Sequence, residues 1–194
     1  MAQIGLRHFK YSPIKDGKYT GVNEMVGAID SKPSLNVAEA ELYADDTVVE
    51  SASEVTKGSL SLTVADDDDN VFAPLLGHTV TENGEVLKSS DDIPPYVGFG
   101  RVLVKLVNGK KKYKAEFFLK VKFKPFANEG NTKGESIEFK TPAVEGTIYV
   151  VPTMVDGVEK PLYERHQTFD TDAEAQAYLD ELMSVPKVEE WYYI

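Results

Sequence analysis

The pair Asn108-Gly109 constrains the fold of this 194-residue chain more than any other feature. Both residue types tolerate positive φ, and together they favour a two-residue hairpin turn. Such a turn predicts that Val104 lies opposite Tyr113 and Val102 opposite Ala115. One face of the hairpin would carry Val102, Val104, Leu106, Tyr113, Ala115, Phe117, Leu119, Val121 and Phe123, and the other Arg101, Lys105, Lys110, Lys112, Lys114, Lys120, Lys122 and Lys124. This spacing predicts an antiparallel hairpin with one face in a core.

Charge is distributed unevenly between this hairpin and the rest of the chain. The formal net charge is −11, yet residues 101–124 hold nine Lys or Arg and one acid. The basic face has three interpretations: a solvated face whose lysines block edge pairing, a patch for acidic surfaces on neighbouring copies, or a nucleic-acid surface. The third is disfavoured, because the aromatic side chains needed for base stacking fall on the apolar face, except Phe118. The overall charge also opposes nonspecific binding to nucleic acid or an anionic membrane.

The remaining pattern is mainly β. Between 59 and 65, Leu60, Leu62 and Val64 alternate with polar residues, which is typical of a half-buried strand. Val155-Asp-Gly-Val158 predicts a second tight turn. Strands are predicted at about 35–43, 59–65, 135–140, 147–155 and 163–169.

Two segments predict helices. The acidic run Asp66–Asp69 precedes an apolar stretch that ends at Gly77, and these features favour the start and end of a short helix near 68–76. Near the C-terminus, Thr171 and Glu174 form a capping box, and the apolar spacing up to Pro186 predicts a helix over 171–184 that packs on a sheet. The length suggests a single domain, 1–194, with an N-terminal arm at 1–10 and an aromatic tail segment at 185–194.

Candidate chemistry is sparse. Tyr43-Ala-Asp-Asp46 has the letters of a polymerase metal turn, but two-metal chemistry needs a further carboxylate strand, and a chain of 194 residues leaves no room for fingers and thumb. The run 66–70 lacks the spacing of a calcium loop, and the three histidines have no metal-binding spacing. There are no cysteines, which excludes a thiol nucleophile or a disulfide framework. We expect no enzyme activity, metal or cofactor, and we predict no signal peptide or membrane span.

Five segments resemble, in order, the phi13-type major tail proteins of long-tailed phages. They are Ile4-Gly-Leu-Arg7, the block "AELYADD…ES…KGSLSLTV" over 40–64, Pro95-Tyr-Val-Gly-Phe-Gly100, the stretch 131–142 with Gly146-Thr147, and Phe169-Asp-Thr with its helix. The resemblance implies a tail-tube fold, in which two antiparallel sheets pack as a sandwich or barrel beside a C-terminal helix. It also implies that six copies close into a ring and that rings stack into a tube through which DNA passes without specific binding.

The same resemblance implies a location in the virion tail after synthesis in the bacterial host cytoplasm, with the tape-measure protein, tail tip and tail terminator as further partners. Loops are where assembly contacts can become ordered. The candidate subunit or ring contacts are Tyr43, Asp45, Asp46, Asp67, Asp68, Lys110, Lys111 and Lys112, and the N-terminal arm is a further candidate. Two alternatives remain open: a monomeric β-sandwich binding module, or another tail part such as a terminator or connector.

Overall fold

A computed structural model describes residues 2–44, 47–65, 68–125 and 141–184, with the backbone alone described at 42–44 and 47–49. The chain is mainly β, as predicted. Its elements are β1 (Ala2–Lys15), β2 (Lys18–Tyr19), β3 (Asn23–Met25), β4 (Ala28–Ala44), β5 (Thr47–Val64), α1 (Asp69–Leu76), β6 (Thr79–Val80), β7 (Val86–Leu87), β8 (Tyr96–Val107), β9 (Lys110–Phe123), β10 (Ala143–Tyr149), β11 (Val151–Val155), β12 (Val158–Leu162), β13 (Glu164–Phe169) and α2 (Asp172–Ser184).

The β8–β9 hairpin has the predicted turn and register. Asn108 and Gly109 have φ of 50° and 76°, and Val102 pairs with Ala115 and Val104 with Tyr113. The second predicted turn is also present, since Asp156 and Gly157 have φ of 53° and 79° between β11 and β12. Both turns confirm that local sequence sets the strand connections here.

The prediction that one face of β9 is apolar along its whole length is wrong. Val97 pairs with Val121 but Phe99 pairs with Phe118, which leaves an extra residue in β9 and forms a β-bulge. A one-residue insertion exchanges the faces of the strand beyond it. Val121 and Phe123 therefore join Phe118 on one side of the sheet, while Phe117 and Leu119 lie on the other.

The bulge also divides the sheet into two layers. Before it, β9 pairs with β13 through residues 113–118, and after it β9 pairs with β10 through residues 121–123. The main sheet runs in the order β2-β1-β8-β9-β10-β5-β4 and contains only antiparallel pairs in the part of the chain described. It folds back on itself as a sandwich that does not close into a barrel, which confirms the predicted two-layer class.

The main core lies between the layers, and α1 closes one end of it. Phe99 is at its centre, with ring centroids 5.4 Å from Phe9 and 6.0 Å from Phe123. The helix α1 is capped by Asp68, whose side chain accepts from the Asn70 amide, and ends at Gly77 with φ of 77°. The buried apolar residues here include Phe9, Tyr11, Met25, Leu60, Leu62, Val64, Phe72, Leu75, Leu76, Val97, Phe99, Phe118, Val121, Phe123, Val144 and Ile148.

A second core lies between α2 and the outer face of the layer that contains β8, β13 and the first half of β9. The predicted capping box is present: the Glu174 amide donates to Thr171 Oγ1 at 3.3 Å, and the Thr171 amide donates to Glu174 Oε2 at 3.1 Å. Gly100 lets the helix approach, because a Cβ there would lie 2.9 Å from Leu179 Cδ2. The buried members of this core are Val102, Ala115, Phe117, Leu119, Val151, Ala175, Leu179 and Met183.

The predicted N-terminal arm at 1–10 is an integral strand from Ala2 onward. β1 pairs with β8 from Ala2–Leu106 to Pro13–Val97, and Phe9 is fully buried. Strands β4 and β5 are also much longer than predicted. The strand predicted at 135–140 and the tail at 185–194 lie outside the described residues.

Candidate assembly surface

A two-stranded ribbon projects beyond the main sheet. Strand β10 pairs with β5 only along residues 57–63, whereas β4 and β5 stay paired up to Ala44 and Thr47. Residues 37–55 form this extension, called the β4–β5 arm below. Eight residues of extended chain reach about 26 Å, so the arm is long relative to a domain of this size.

Both faces of the arm point into solvent. The side chains of 36–41 and 50–54 are all exposed. An isolated two-stranded ribbon is only marginally stable in water, and an unpaired edge is a template for another chain. The arm therefore has the properties of a segment that is completed by contact with another surface.

The arm is acidic and narrow. Residues 36–56 hold six Asp or Glu and no Lys or Arg. The register places Glu50 and Glu54 on one face with Ala38, Ala40 and Ala52. On this face Glu54 lies opposite Ala38 and Ala52 opposite Ala40, whereas Glu50 lies opposite Leu42.

The end of the β8–β9 hairpin is the most basic surface of the described part. Lys105 lies directly opposite Lys112, and Lys111 opposite Leu106. Like charges at directly opposed positions are destabilising. Lys112 is compensated by a contact with Asp170, whereas Lys105, Lys110 and Lys111 have no ion pair among the described residues.

The lysines further from the turn are occupied within the chain. Lys114 Nζ lies 2.6 Å from Glu116 Oε1. The amines of Lys120 and Lys122 lie 4.2 and 5.2 Å from the centre of the Tyr96 ring, a cation–π arrangement. The basic face predicted from sequence is therefore reduced to the turn end.

A buried ion pair interrupts that basic face. Arg101 Nε and Nη2 donate to Glu116 Oε2 at 2.9 and 2.6 Å, and both residues are nearly inaccessible, at 6% and 5% exposure. Phe118, predicted to stand exposed among the lysines, is also buried, with the Arg101 guanidinium 5.7 Å from its ring centre. This correction removes the exposed aromatic that a nucleic-acid surface would need.

The same arginine connects the two layers below the arm. Arg101 Nη1 donates to the Ser31 carbonyl at 2.8 Å and to Ser31 Oγ at 2.9 Å. Ser31 belongs to β4, the strand that continues into the arm. The contact therefore ties β4 to β8 at Ser31, six residues before the arm begins.

Burial alone would raise the pKa of Glu116, but the hydrogen bond from Lys114 and the charge of Arg101 outweigh it and lower the pKa below its usual 4.5. A carboxylate whose pKa is lowered by folding stabilises the native state above its unfolded pKa and loses that contribution as the pH falls through the folded value. We expect Glu116→Gln to cost roughly 3 kcal/mol at pH 7 and much less at pH 3. Urea unfolding of both proteins at the two pH values measures this difference. An equal cost at pH 3 and pH 7 would contradict the assignment.

The predicted contact residues fall into three groups. Lys110 and Lys111 are exposed at the hairpin end, while Lys112 contacts Asp170. Asp68 caps α1. The backbone of Tyr43 lies in the arm, and Asp45, Asp46 and Asp67 lie outside the described residues.

The arrangement most like an enzyme site is the His78–Asp92 pair. His78 Nδ1 lies 2.7 Å from Asp92 Oδ2, which also accepts from the Ser89 amide at 2.8 Å. Those two hydrogen bonds, the backbone one first, lower the pKa of Asp92. The pair closes the segment between β6 and β8 and borders an open cavity of about 610 Å³.

Comparison with known proteins does not assign this chain to a family. No protein-family model matches the chain, and no curated protein matches it. Within the described ranges, no cluster of three or more His, Asp or Glu side chains is suited to a metal ion. None of the helices in that part of the chain is both long and apolar enough to cross a membrane.

Two features of this surface were not predicted. The pairing of Arg101 with Glu116 follows from the register of the Asn108-Gly109 turn, and Glu116 is the one acid in 101–124. That coincidence was the available signal for a buried pair. The first strand of the arm was predicted at about 35–43, but the extension of β5 back to Thr47 was not.

Proposed function

We propose that this chain is a phage major tail protein, which assembles with itself into stacked hexameric rings that form the tail tube. The observation that supports this most is the exposed acidic β4–β5 arm. A long exposed ribbon that projects from its own sandwich can contact a neighbouring subunit. The sequence resemblance supplies the kind of assembly.

The charges favour the same role. A closed ring is built from heterologous contacts, in which different surfaces of one subunit meet head to tail. The acidic arm and the basic hairpin end are two such different surfaces on one chain. A net charge of −11 also suits a channel that lets DNA phosphates pass without binding them. Tape-measure protein, tail tip and terminator are the further partners of this role.

Shortening the arm tests the assembly role. Ala38 and Glu54 lie opposite each other, so 39–53 can be replaced by an Asn-Gly turn. We expect the wild type to form rings of six and hollow tubes in light scattering and negative-stain images, and the shortened protein to remain a folded monomer. Its melting temperature should stay within about 3 °C of wild type, because the described side chains of this segment, 39–41 and 50–53, are exposed and belong to neither core. Normal tubes from the shortened protein would contradict the role of the arm.

Antibody labelling of virions distinguishes a tube subunit from a terminator, a connector or a binding module. Antibodies raised against the purified chain should decorate the whole tail shaft of the phage that encodes it. Label confined to one end of the shaft would instead indicate a terminator or connector. Absence of label, together with a monomer at every concentration, would favour a binding module and overturn the proposal.

A further inference from the structure

We infer that the acidic face of the β4–β5 arm docks on the basic end of the β8–β9 hairpin of a second copy of this chain. The inference rests on the proposed tail-tube function and specifies which two surfaces of the subunit meet. The acidic side is the face that carries Glu50 and Glu54, and the basic side is the hairpin face that carries Lys105 and Lys110.

The first argument is complementary charge left unpaired in the subunit. Glu50, Glu54 and Lys110 are exposed and Lys105 is half-buried, and none of the four makes an ion pair within the described ranges. Nearer the middle of the hairpin, Lys112 contacts Asp170 and Lys114 contacts Glu116, whereas the lysines at the turn make no ion pair within the described ranges. The arm and the turn are thus two surfaces of opposite sign, each with unpaired charges close together. Opposed potentials of this kind select partners and fix register.

The second argument is shape. The acidic face of the arm has small residues around Glu54, namely Ala38, Ala40 and Ala52, while Leu42 lies opposite Glu50. The hairpin end is also a two-stranded ribbon, whose Val107 lies between Lys105 and Lys110 on the same face. Two ribbons can pack closely when the residues between their charges are small or aliphatic. The alanines and Val107 would be covered in the contact, while the charges pair at its rim.

The third argument is the instability of each surface alone. The Lys105–Lys112 pair places like charges at opposed positions, which weakens the hairpin end. The arm carries six acids without a base. Docking would relieve both repulsions at once. It also explains why an acidic protein concentrates its lysines at one turn.

Charge reversal tests the contact. The double variants Glu50→Lys/Glu54→Lys and Lys105→Glu/Lys110→Glu should each raise the protein concentration needed for assembly roughly tenfold or more, since attraction becomes repulsion at each contact. Matched controls reverse the same number of charges at other exposed turns: Glu82→Lys/Glu85→Lys and Lys15→Glu/Lys18→Glu. The controls should assemble at the wild-type concentration. Raised salt should weaken wild-type assembly.

Mixing the two variants gives the decisive result. One variant has a basic arm and a basic hairpin end, and the other is acidic at both. At the concentration where the wild type assembles, neither variant should assemble alone. An equimolar mixture should assemble there, because each arm then meets a hairpin end of opposite charge. A single chain carrying all four reversals should also assemble. Failure of both rescues, or normal assembly of both double variants, would overturn the inference.

Crosslinking measures the contact directly and does not depend on tube formation. The chain has no cysteine, so Ala52→Cys in one batch and Val107→Cys in another report on this pair alone. A mixture treated with a short bis-maleimide should give crosslinked dimers, and the control pair Ala52→Cys with Asn83→Cys should not. No crosslink in assembled wild-type-like rings would overturn the docking while leaving the tube proposal intact. A crosslink without rings would support the docking and contradict the tube.

The same variants also test whether nucleic acid, and not the arm, binds the hairpin end. If the hairpin end binds nucleic acid instead, Lys105→Glu/Lys110→Glu will assemble normally and lose a measurable affinity for duplex DNA that the wild type has. That outcome would overturn the inference. The expected result is impaired assembly, with no difference in DNA binding between the two proteins.

Discussion

Arg101→Met is expected to lower the free energy of unfolding by about 3–5 kcal/mol, because it leaves the Glu116 carboxylate buried without its main counter-charge. It also removes the two hydrogen bonds that Arg101 Nη1 donates to Ser31, which tie the first part of β4 to β8. Chemical denaturation at pH 7 measures the loss. Beyond stability, we expect reduced assembly even where the variant is folded, since the arm is no longer held in one direction.

Two controls separate the buried pair from general effects of charge removal. Lys105→Met removes a positive charge four residues away on the same strand and should change stability by less than about 0.5 kcal/mol. The double variant Arg101→Met/Glu116→Leu replaces the pair with apolar side chains and should recover a large part of the loss. If Arg101→Met costs less than Lys105→Met, the ion pair does not stabilise the fold.

Phe99→Ala is expected to cost about 3–5 kcal/mol. The Phe99 ring is fully buried, and it contacts the rings of Phe9, Phe118 and Phe123 from both layers of the sandwich. Its removal leaves a cavity that these large side chains cannot fill without moving their strands. The expected measurement is a fall in the denaturation midpoint with an unchanged slope.

The size of the side chain can be separated from its aromatic character. Phe99→Leu keeps most of the volume and should cost about half as much as Phe99→Ala or less. Ile93→Ala shortens an apolar residue that is 75% exposed and should be within about 0.5 kcal/mol of wild type. A loss in Ile93→Ala equal to that in Phe99→Ala would show that Phe99 is not central to the core.

Local signals in the sequence predicted local structure well. The Asn108-Gly109 turn fixed the register of β8 and β9, and the Thr171–Glu174 box marked the start of α2. Asp68 and Gly77 bound α1 as expected. In each case the residues that decide the geometry are neighbours in the chain, so their chemistry is visible without knowledge of the fold.

Features that depend on a distant partner were missed. Alternation of apolar residues continues unbroken through 117–123, and the bulge in β9 is defined only by its pairing with Val97 and Phe99 of β8. Likewise β1 is a strand because β8 pairs with it. The burial of Arg101 and the surfaces formed by the arm and the hairpin end also depend on pairings between distant strands. Composition alone identified the basic hairpin, but it did not show which of its lysines make ion pairs or cation–π contacts within the subunit.

The pairing of β1 with β8 also sets an order of events during synthesis. Ala2 pairs with Leu106 and Pro13 with Val97, so the first strand can pair early with β2 and β3 but not with β8 until residues 97–106 have emerged. The β4–β5 hairpin closes on itself and can form as soon as Val64 has emerged. Translation proceeds at about 5–20 residues per second, so the acidic ribbon precedes the lysine-bearing turn by several seconds. A nascent chain therefore presents the acidic half of the proposed contact before it presents the basic half.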